Sequence, residues 1–318
     1  MPTPTFPVEP PDRRGQLQTA LETLRLGDVR GLRIDTLSDL DREGSRALSD
    51  AWSSLDERVR VGVIQKINDV VEERFDLNFG RVLRLALSDE SAVVRQLAIA
   101  GLWEDDRIDL LPTFLDLLLS DESVDVRTEA ARALGTFTGI AAEGALAPDV
   151  ASHLREQMVD VIEGCDPPYT LRRRIIESLG SLADDPRVAS VIEAAYESGD
   201  DGEMASALFA MGKSHSDRWV TTVLGKLEND EPEIRLEAVR SAGLLGDDRA
   251  TPILSAIAQE DETEIRFAAV TALGQIGGRP AAAALRRLRD LAGEDEADVY
   301  DEAIEEALGS LDLLSAPG

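Results

Sequence analysis

Apolar residues along this chain recur in a phrase rather than in isolated clusters. An apolar residue followed by Arg appears as Val59-Arg60, Val94-Arg95, Val126-Arg127, Leu171-Arg172, Ile234-Arg235 and Ile265-Arg266. Glu203-Met204 and Tyr300-Asp301 hold the same place without the Arg. The phrases are 35, 32, 45, 32, 31, 31 and 35 residues apart. Further apolar residues follow at four and eight positions, as at Ala130 and Leu134 or Ala269 and Leu273. That spacing places them on one face of a helix. Shorter apolar runs lie between the anchors, at Val82–Leu87, Leu110–Leu119, Val188–Ala195, Val220–Leu227, Pro252–Ala258 and Ala281–Leu291. Each predicts the first helix of a pair whose second helix carries the anchor.

Self-similarity at this period belongs to solenoids, in which a unit buries its apolar face only against its neighbours. The fold expected is all-α, a right-handed α-α superhelix of about eight helix pairs. Residues 1–14 read as a flexible Pro-rich tail and 15–318 as a single solenoid. Within it, 15–40 form an N-terminal cap, with Leu17, Leu21 and Leu24 on one helical face, 41–292 the repeats and 293–318 a polar C-terminal cap. Thr251 before Pro252, and the pairs Asp230…Glu233 and Asp261…Glu264, have the spacing of helix N-caps. The acidic clusters at 104–106, 184–185, 200–201 and 247–248 read as caps and solvated turns. The long 45-residue interval predicts a loop insertion over Thr138–Pro148, on a face where solenoids accept extra residues.

Late in each second helix stands a Gly: Gly135, Gly180, Gly212, Gly243, Gly274 and Gly309, with Asn68 and Trp103 at the matching places of the first two repeats. Mid-helix Gly costs about 1 kcal/mol against Ala, so packing or chain reversal must offset it. Trp103 reads as an aromatic over an irregular repeat, with ligand binding as its alternative.

Charge narrows the function. The formal net charge of −29 opposes nucleic-acid binding, because a duplex would be repelled by most of the surface. Only Lys66, Lys213 and Lys226 are lysines, a bias that fits a salt-adapted surface or a high-GC genome as well as a basic partner. Cys165 is the sole cysteine, so no internal disulfide forms. No run of 18 apolar residues suits a membrane span, and the opening lacks the basic and apolar regions of a secretory signal. A cytoplasmic location without membrane contact is expected.

The phrases SDESVDVRTEAARALGTF, NDEPEIRLEAVRSAGLLGDDRATPIL and EDETEIRFAAVTALGQIGG resemble HEAT repeats, the short kind also found in phycobilisome lyase subunits. The resemblance covers roughly residues 40–312. It implies scaffolds, adaptors and a few enzymes. It also implies a ladder in which Arg60, Arg95, Arg127, Arg172, Arg235 and Arg266 pair with Asp89, Asp121, Asp166, Asp230 or Asp261. Met204 and Asp301 interrupt that ladder, which loosens the expected junction of the fourth and fifth repeats. The paired His-Glu motifs of HEAT-repeat iron hydroxylases are absent, since His153 and His215 stand in SHLRE and KSHSD.

No catalytic residue, cofactor or metal is expected. Cys165 reads as a packing residue and His215 as a surface residue in a turn. Second helices line the concave wall in such solenoids, and positions two, three and six after the anchor point into it. They supply Arg132, Arg173, Arg174, Phe209, Leu236, Arg240 and Phe267 as candidate partner-binding residues, a groove for an acidic, apolar peptide or partner helix. The function expected is a non-enzymatic scaffold or adaptor binding a protein partner. Its alternative is a lyase-like or chaperone factor acting on a tetrapyrrole-carrying protein. A HEAT-type alkyl-base DNA glycosylase ranks last, for want of a basic groove.

Overall fold

The computed structural model describes residues 13–71, 73–102, 105–260, 262–294 and 296–315. Trp103, Glu104, Asp261 and residues 1–12 of the expected tail lie outside the described residues. Seventeen α-helices and five short 3-10 turns make up the described secondary structure, with no strand among those residues. The chain divides into two compact units, residues 1–133 and 134–318.

In the first unit a lone helix, α1 (Arg13–Arg25), buries Leu17, Ala20, Leu21 and Leu24. It is followed by α2 (Arg42–Trp52), α3 (Glu57–Val71), α4 (Gly80–Ala86), α5 (Ala92–Gly101), α6 (Leu111–Ser120) and the start of α7 (Val124–Ala142). Asp41 caps α2 by accepting from the Gly44 N–H at 2.7 Å. Helices stand at the expected cap and first-pair places, although α1 takes in Arg13 and Arg14, the last two residues of the expected tail.

The second unit holds the rest of α7, then α8 (Pro148–Cys165), α9 (Tyr169–Leu179), α10 (Pro186–Tyr196), α11 (Asp201–Lys213), α12 (Val220–Leu224), α13 (Pro232–Leu245), α14 (Thr251–Glu260), α15 (Thr263–Ile276), α16 (Gly278–Leu291) and α17 (Ala297–Ser315). Its second helices α9, α11, α13, α15 and α17 pack side by side in chain order, and the first helices flank them. This is an α-α solenoid. The anchors Val94, Val126, Leu171, Ile234, Ile265 and Tyr300 are buried, as their periodicity requires.

The expected insertion loop is mostly helix. Thr138–Ala142 complete α7, a five-residue turn with Gly144 at φ 73° reverses the chain, and α8 runs 18 residues. The small and Gly-rich segment reads as a loop because its apolar stripe is thin. Burial rescues it: Phe137 is 1% exposed, and Thr138 Oγ1 donates to the Ser178 carbonyl at 2.6 Å and to Gly135 at 2.9 Å.

Three expected caps also differ. Glu231 and Glu262 are the N-cap residues of α13 and α15, and neither side chain caps. Asn229 instead accepts from the Glu231 N–H at 2.9 Å. Thr251 starts α14 directly from a 3-10 turn, so its hydroxyl is buried without a partner while Asp247 caps the turn by accepting from Arg249 N–H. Asp185 and Asp200 cap α10 and α11 as the acidic-cluster reading expects.

The Arg ladder is present with altered acids. In the first unit Arg60 donates to Glu90 at 2.7 Å and to the Leu55 carbonyl, and its Nε lies 3.0 Å from Asp89 without pointing at it. Asp89 also accepts from Trp52 Nε1 at 2.6 Å. Arg95 makes a bidentate pair with Asp121, both contacts 2.8 Å. In the second unit Arg172 reaches Glu203 at 2.9 Å and Arg266 reaches Glu296 at 2.6 Å. The fourth and fifth repeats are therefore joined, because Glu203, at the anchor's apolar place, supplies the acid. One repeat later Met204 stands where the ladder's Arg would be. Arg127 donates to the Leu118 carbonyl, Arg235 to those of Asn229 and Asp230, and Asp166 is an exposed left-handed residue at φ 43° closing α8.

The recurring Gly residues are contact points. A Cβ on Gly180 would lie 2.9 Å from Ala210 Cα, on Gly212 2.7 Å from Ser241 Cα, on Gly243 2.8 Å from Ala272 Cα and on Gly274 3.3 Å from Ala303 Cα. On Gly309 it would meet nothing within 4 Å. Gly243→Ala should therefore lower stability by about 1–3 kcal/mol through overpacking against backbone. Gly309→Ala, where only helix propensity changes, should raise it by up to about 1 kcal/mol. Chemical denaturation of both variants reads the opposite signs. Arg60→Met should lower stability by roughly 1–3 kcal/mol, since it leaves the buried Asp89 carboxylate, 2% exposed, with its Trp52 and Ser91 N–H donors but without a cation; the same denaturation midpoint measures it.

Candidate partner-binding face

The candidate residues differ in what they can do. Arg132 belongs to the first unit, where Glu129 holds it at 2.5 Å. The other six belong to the second unit, on α9, α11, α13 and α15. Phe209, Leu236 and Phe267 are half-buried on three successive second helices. Such partial exposure of large apolar side chains is what a partner can cover.

The arginines are mostly occupied. Arg173 donates through Nε to Ser206 Oγ at 2.9 Å and through a terminal nitrogen to Glu233 at 3.2 Å, and its guanidinium lies 5.7 Å from the Tyr169 ring centroid. Arg174 donates to Glu177 at 2.6 Å. Glu177 also accepts from Ser206 at 2.8 Å. Arg173, Ser206, Glu177 and Arg174 thus form one hydrogen-bonded chain across α9 and α11. Arg240 is the least constrained, with half its side chain exposed, 3.3 Å from Glu264 and 3.7 Å from Glu237. Arg266 lies 5.1 Å from the Phe267 ring centroid, within reach of a cation–π contact.

Glu237 is legible in the sequence as a surface carboxylate close enough to neutralise a candidate Arg, as are Glu129 and Glu177, but the structure draws it inward. It stands three positions after an anchor, between Leu236 and the buried Ala238, and 15% of its side chain is exposed. Its Oε1 is buried and accepts no hydrogen bond. Burial pushes its pKa up to about 7, with Arg240 and Arg173 opposing and Glu177 reinforcing the rise. Nearby, burial lowers the pKa of Lys213, which donates to the Gly135 carbonyl at 3.2 Å and feels Glu177. The only signal in the sequence is an acid on the inward side of a helix otherwise Ala- and Val-lined there. His215, exposed at φ 51°, has its Nδ1 2.9 Å from the Leu244 carbonyl, and His153 is exposed on α8.

Among the described residues no cluster of His, Cys, Asp and Glu is arranged to hold a metal ion. Among them, too, no helix is long and apolar enough to cross a membrane.

Comparison with known proteins gives one family. A profile described as HEAT repeats matches residues 81–162 and 220–309, together more than half of the chain. No curated protein sequence matches. Among solved structures, the complex of CpcE and CpcF of phycocyanin lyase from Nostoc sp. PCC7120 shares 16% identity over 72% of this chain and 94% of that one, with a TM-score of 0.49. Importin beta shares 14% over 94% of this chain and 49% of that one, TM-score 0.49. Human deoxyhypusine hydroxylase shares 17% over 93% and 96%, TM-score 0.34.

A Glu237 pKa above its unfolded value means that the folded chain binds more protons than the unfolded one between about pH 4.5 and about 7. Ionising Glu237 therefore costs stability as pH rises through that window. Glu237→Gln should be near neutral at pH 4 and stabilising by as much as roughly 2–3 kcal/mol at pH 8, read from denaturation midpoints at the two pH values. Equal effects at both would place the ionised carboxylate in a solvated setting.

Proposed function

The chain belongs to the HEAT-repeat family, and from that premise we propose that it is a non-enzymatic scaffold that binds a protein partner along the second-helix face of its second unit. The observation that carries this reading is the row of half-buried Phe209, Leu236 and Phe267 on α11, α13 and α15, with the half-exposed Arg240 beside them. Aromatic and Arg side chains grouped in this way supply most of the energy in protein interfaces.

The internal pairing changes which residues recognise the partner. Arg173 and Arg174 are engaged with Glu233, Ser206 and Glu177. An acidic peptide would have to displace those carboxylates, at a gain of only about 0–1 kcal/mol per surface pair. They therefore position the face, while the apolar row and Arg240 contact the partner. The partner segment accordingly leads with apolar side chains rather than with acidic ones.

Leu236→Asp/Phe267→Asp should abolish capture of the partner from the native lysate at native salt, with recovered proteins identified by mass spectrometry. Because both side chains are half-buried, the melting temperature should fall, and an intact circular-dichroism helix signal at the assay temperature confirms that the variant is folded. Undiminished capture of the same partner by this double variant would move the binding surface elsewhere.

A further inference from the structure

Arg240 stands between two acids. Its Nη2 donates to Glu264 Oε1 of α15 at 3.3 Å, and its Nη1 lies 3.7 Å from Glu237 Oε2, one turn back on α13. The two acids differ in setting, since the Glu264 side chain is 72% exposed and that of Glu237 only 15%. A surface pair such as Arg240 with Glu264 contributes only about 0–1 kcal/mol. The pull of Glu237, by contrast, is set by whether its sheltered carboxyl group carries a charge.

The surroundings of Glu237 make that charge costly. Oε1 is buried and no donor reaches it. Ser206, the one hydroxyl on α11, donates to Glu177 instead. Over α11, where Gly202 and Ser206 are small, side chains of α9 meet those of α13. Arg173 reaches Glu233 there at 3.2 Å, and a Cβ on Gly202 would lie 2.8 Å from Arg173 Nη1. The α9 charges therefore act on Glu237 directly, Arg173 favouring its carboxylate and Glu177 opposing it.

Other charges on and around α13 are engaged elsewhere. On α11, Glu203 holds Arg172, Lys213 donates to the Gly135 carbonyl, and Asp201 stands more than a turn before Ser206. Helix α12 carries no charge. On α15, Arg266 pairs with Glu296. On α13 itself Arg235 donates to the Asn229 carbonyl. His215 meets α13 at the Leu244 carbonyl, two turns beyond Glu237. Arg240 is thus the group that answers to the state of Glu237.

Resting on the partner-binding reading above, we propose that Glu237 is a proton switch for that face. With its carboxyl group protonated, Arg240 is released and a partner is admitted; with the carboxylate formed, Arg240 is held back along α13 and the partner is disfavoured. An apolar segment laid over Leu236 and Phe267 would also close the last access of water to Glu237, which raises the cost of its charge. Both effects have one sign: binding takes up a proton. Glu237 changes state at about pH 7, so affinity falls as pH rises through that value.

The test uses the full chain, labelled with 15N in arginine and with 13C in the glutamate carboxyl carbon. Arg240→Lys and Glu237→Gln identify the two signals by their loss. Between about pH 6 and about pH 8 the Glu237 signal should titrate, and the Arg240 Nε signal should move with the same midpoint. Glu237→Gln should abolish the Arg240 step, and Glu177→Gln should lower its midpoint by removing an opposing charge. His215→Gln should leave the step in place, which separates it from the titration of an imidazole. An Arg240 signal that stays still, or a step that survives Glu237→Gln, overturns the proposal. The protein whose capture Leu236→Asp/Phe267→Asp abolishes is then quantified by mass spectrometry at the two pH values. Its capture by the unaltered chain should weaken by up to about tenfold from pH 6 to pH 8, and its capture by Glu237→Gln should be indifferent to pH. Equal capture by the unaltered chain at both values, or a loss that Glu237→Gln shares, overturns the gating. Capture left undiminished by Leu236→Asp/Phe267→Asp, with the Arg240 step present, removes the partner-binding reading while supporting the switch itself, so the two fail separately.

Discussion

At Gly243 the backbone of α13 comes so near α15 that an added Cβ would sit 2.8 Å from Ala272 Cα, and Gly180 and Gly212 make the same approach to α11 and α13. Each contact occupies the same position after its anchor. Successive second helices are thereby held at one separation and in one register. A residue two positions after one anchor consequently lines up with its counterpart on the next helix. Leu236 and Phe267, each two positions after its anchor, owe their shared register to this spacing, while Phe209 stands six positions after Glu203, one turn further along its helix. The helix-propensity cost of the Gly, about 1 kcal/mol each, is the condition for a close-packed layer.

Charge is arranged around that layer in two ways. Buried or half-buried rungs such as Arg95 with Asp121 and Arg172 with Glu203 tie one repeat to the next. They also satisfy groups that would be costly to bury alone. On the partner-binding face, pairs within and between second helices neutralise Arg173 and Arg174. On the reading proposed above, recognition there passes to apolar side chains. Among the described residues, Arg279, Arg286 and Arg287 of α16 stand without an ion pair.

Glu237 shows how the layer acts on a single residue. Its neighbours Leu236 and Ala238 belong to the packed surface, and its carboxylate is drawn in with them beside Arg240 at 3.7 Å. One oxygen has no donor. The result is a carboxyl group titrating at about 7, near the pH at which proteins ordinarily work. Burial is the leading cause, because the arginines nearby are shared with Glu264, Glu233 and Glu177.

The sequence by itself determined the repeat, the helix pairs and the buried anchors. An apolar residue at Val94 or Ile265 announces its face through spacing alone, because helical geometry is local. It also marked Gly180, Gly212, Gly243 and Gly274 as residues that must be there for packing, since nothing in local propensity favours them. The candidate face was legible as a set of positions, Arg173 to Phe267. Only the tertiary structure decided the rest. Whether Thr138 is loop or helix depended on the Ser178 carbonyl, forty residues away, accepting its hydroxyl. Whether Arg173 is free depended on Ser206 and Glu233, on two other helices. Glu203 replaced the expected aspartate as the acid for Arg172 because it reaches across from the next repeat. These outcomes rest on contacts between residues distant in the chain, and spacing along the chain carries no record of which partner lies within reach.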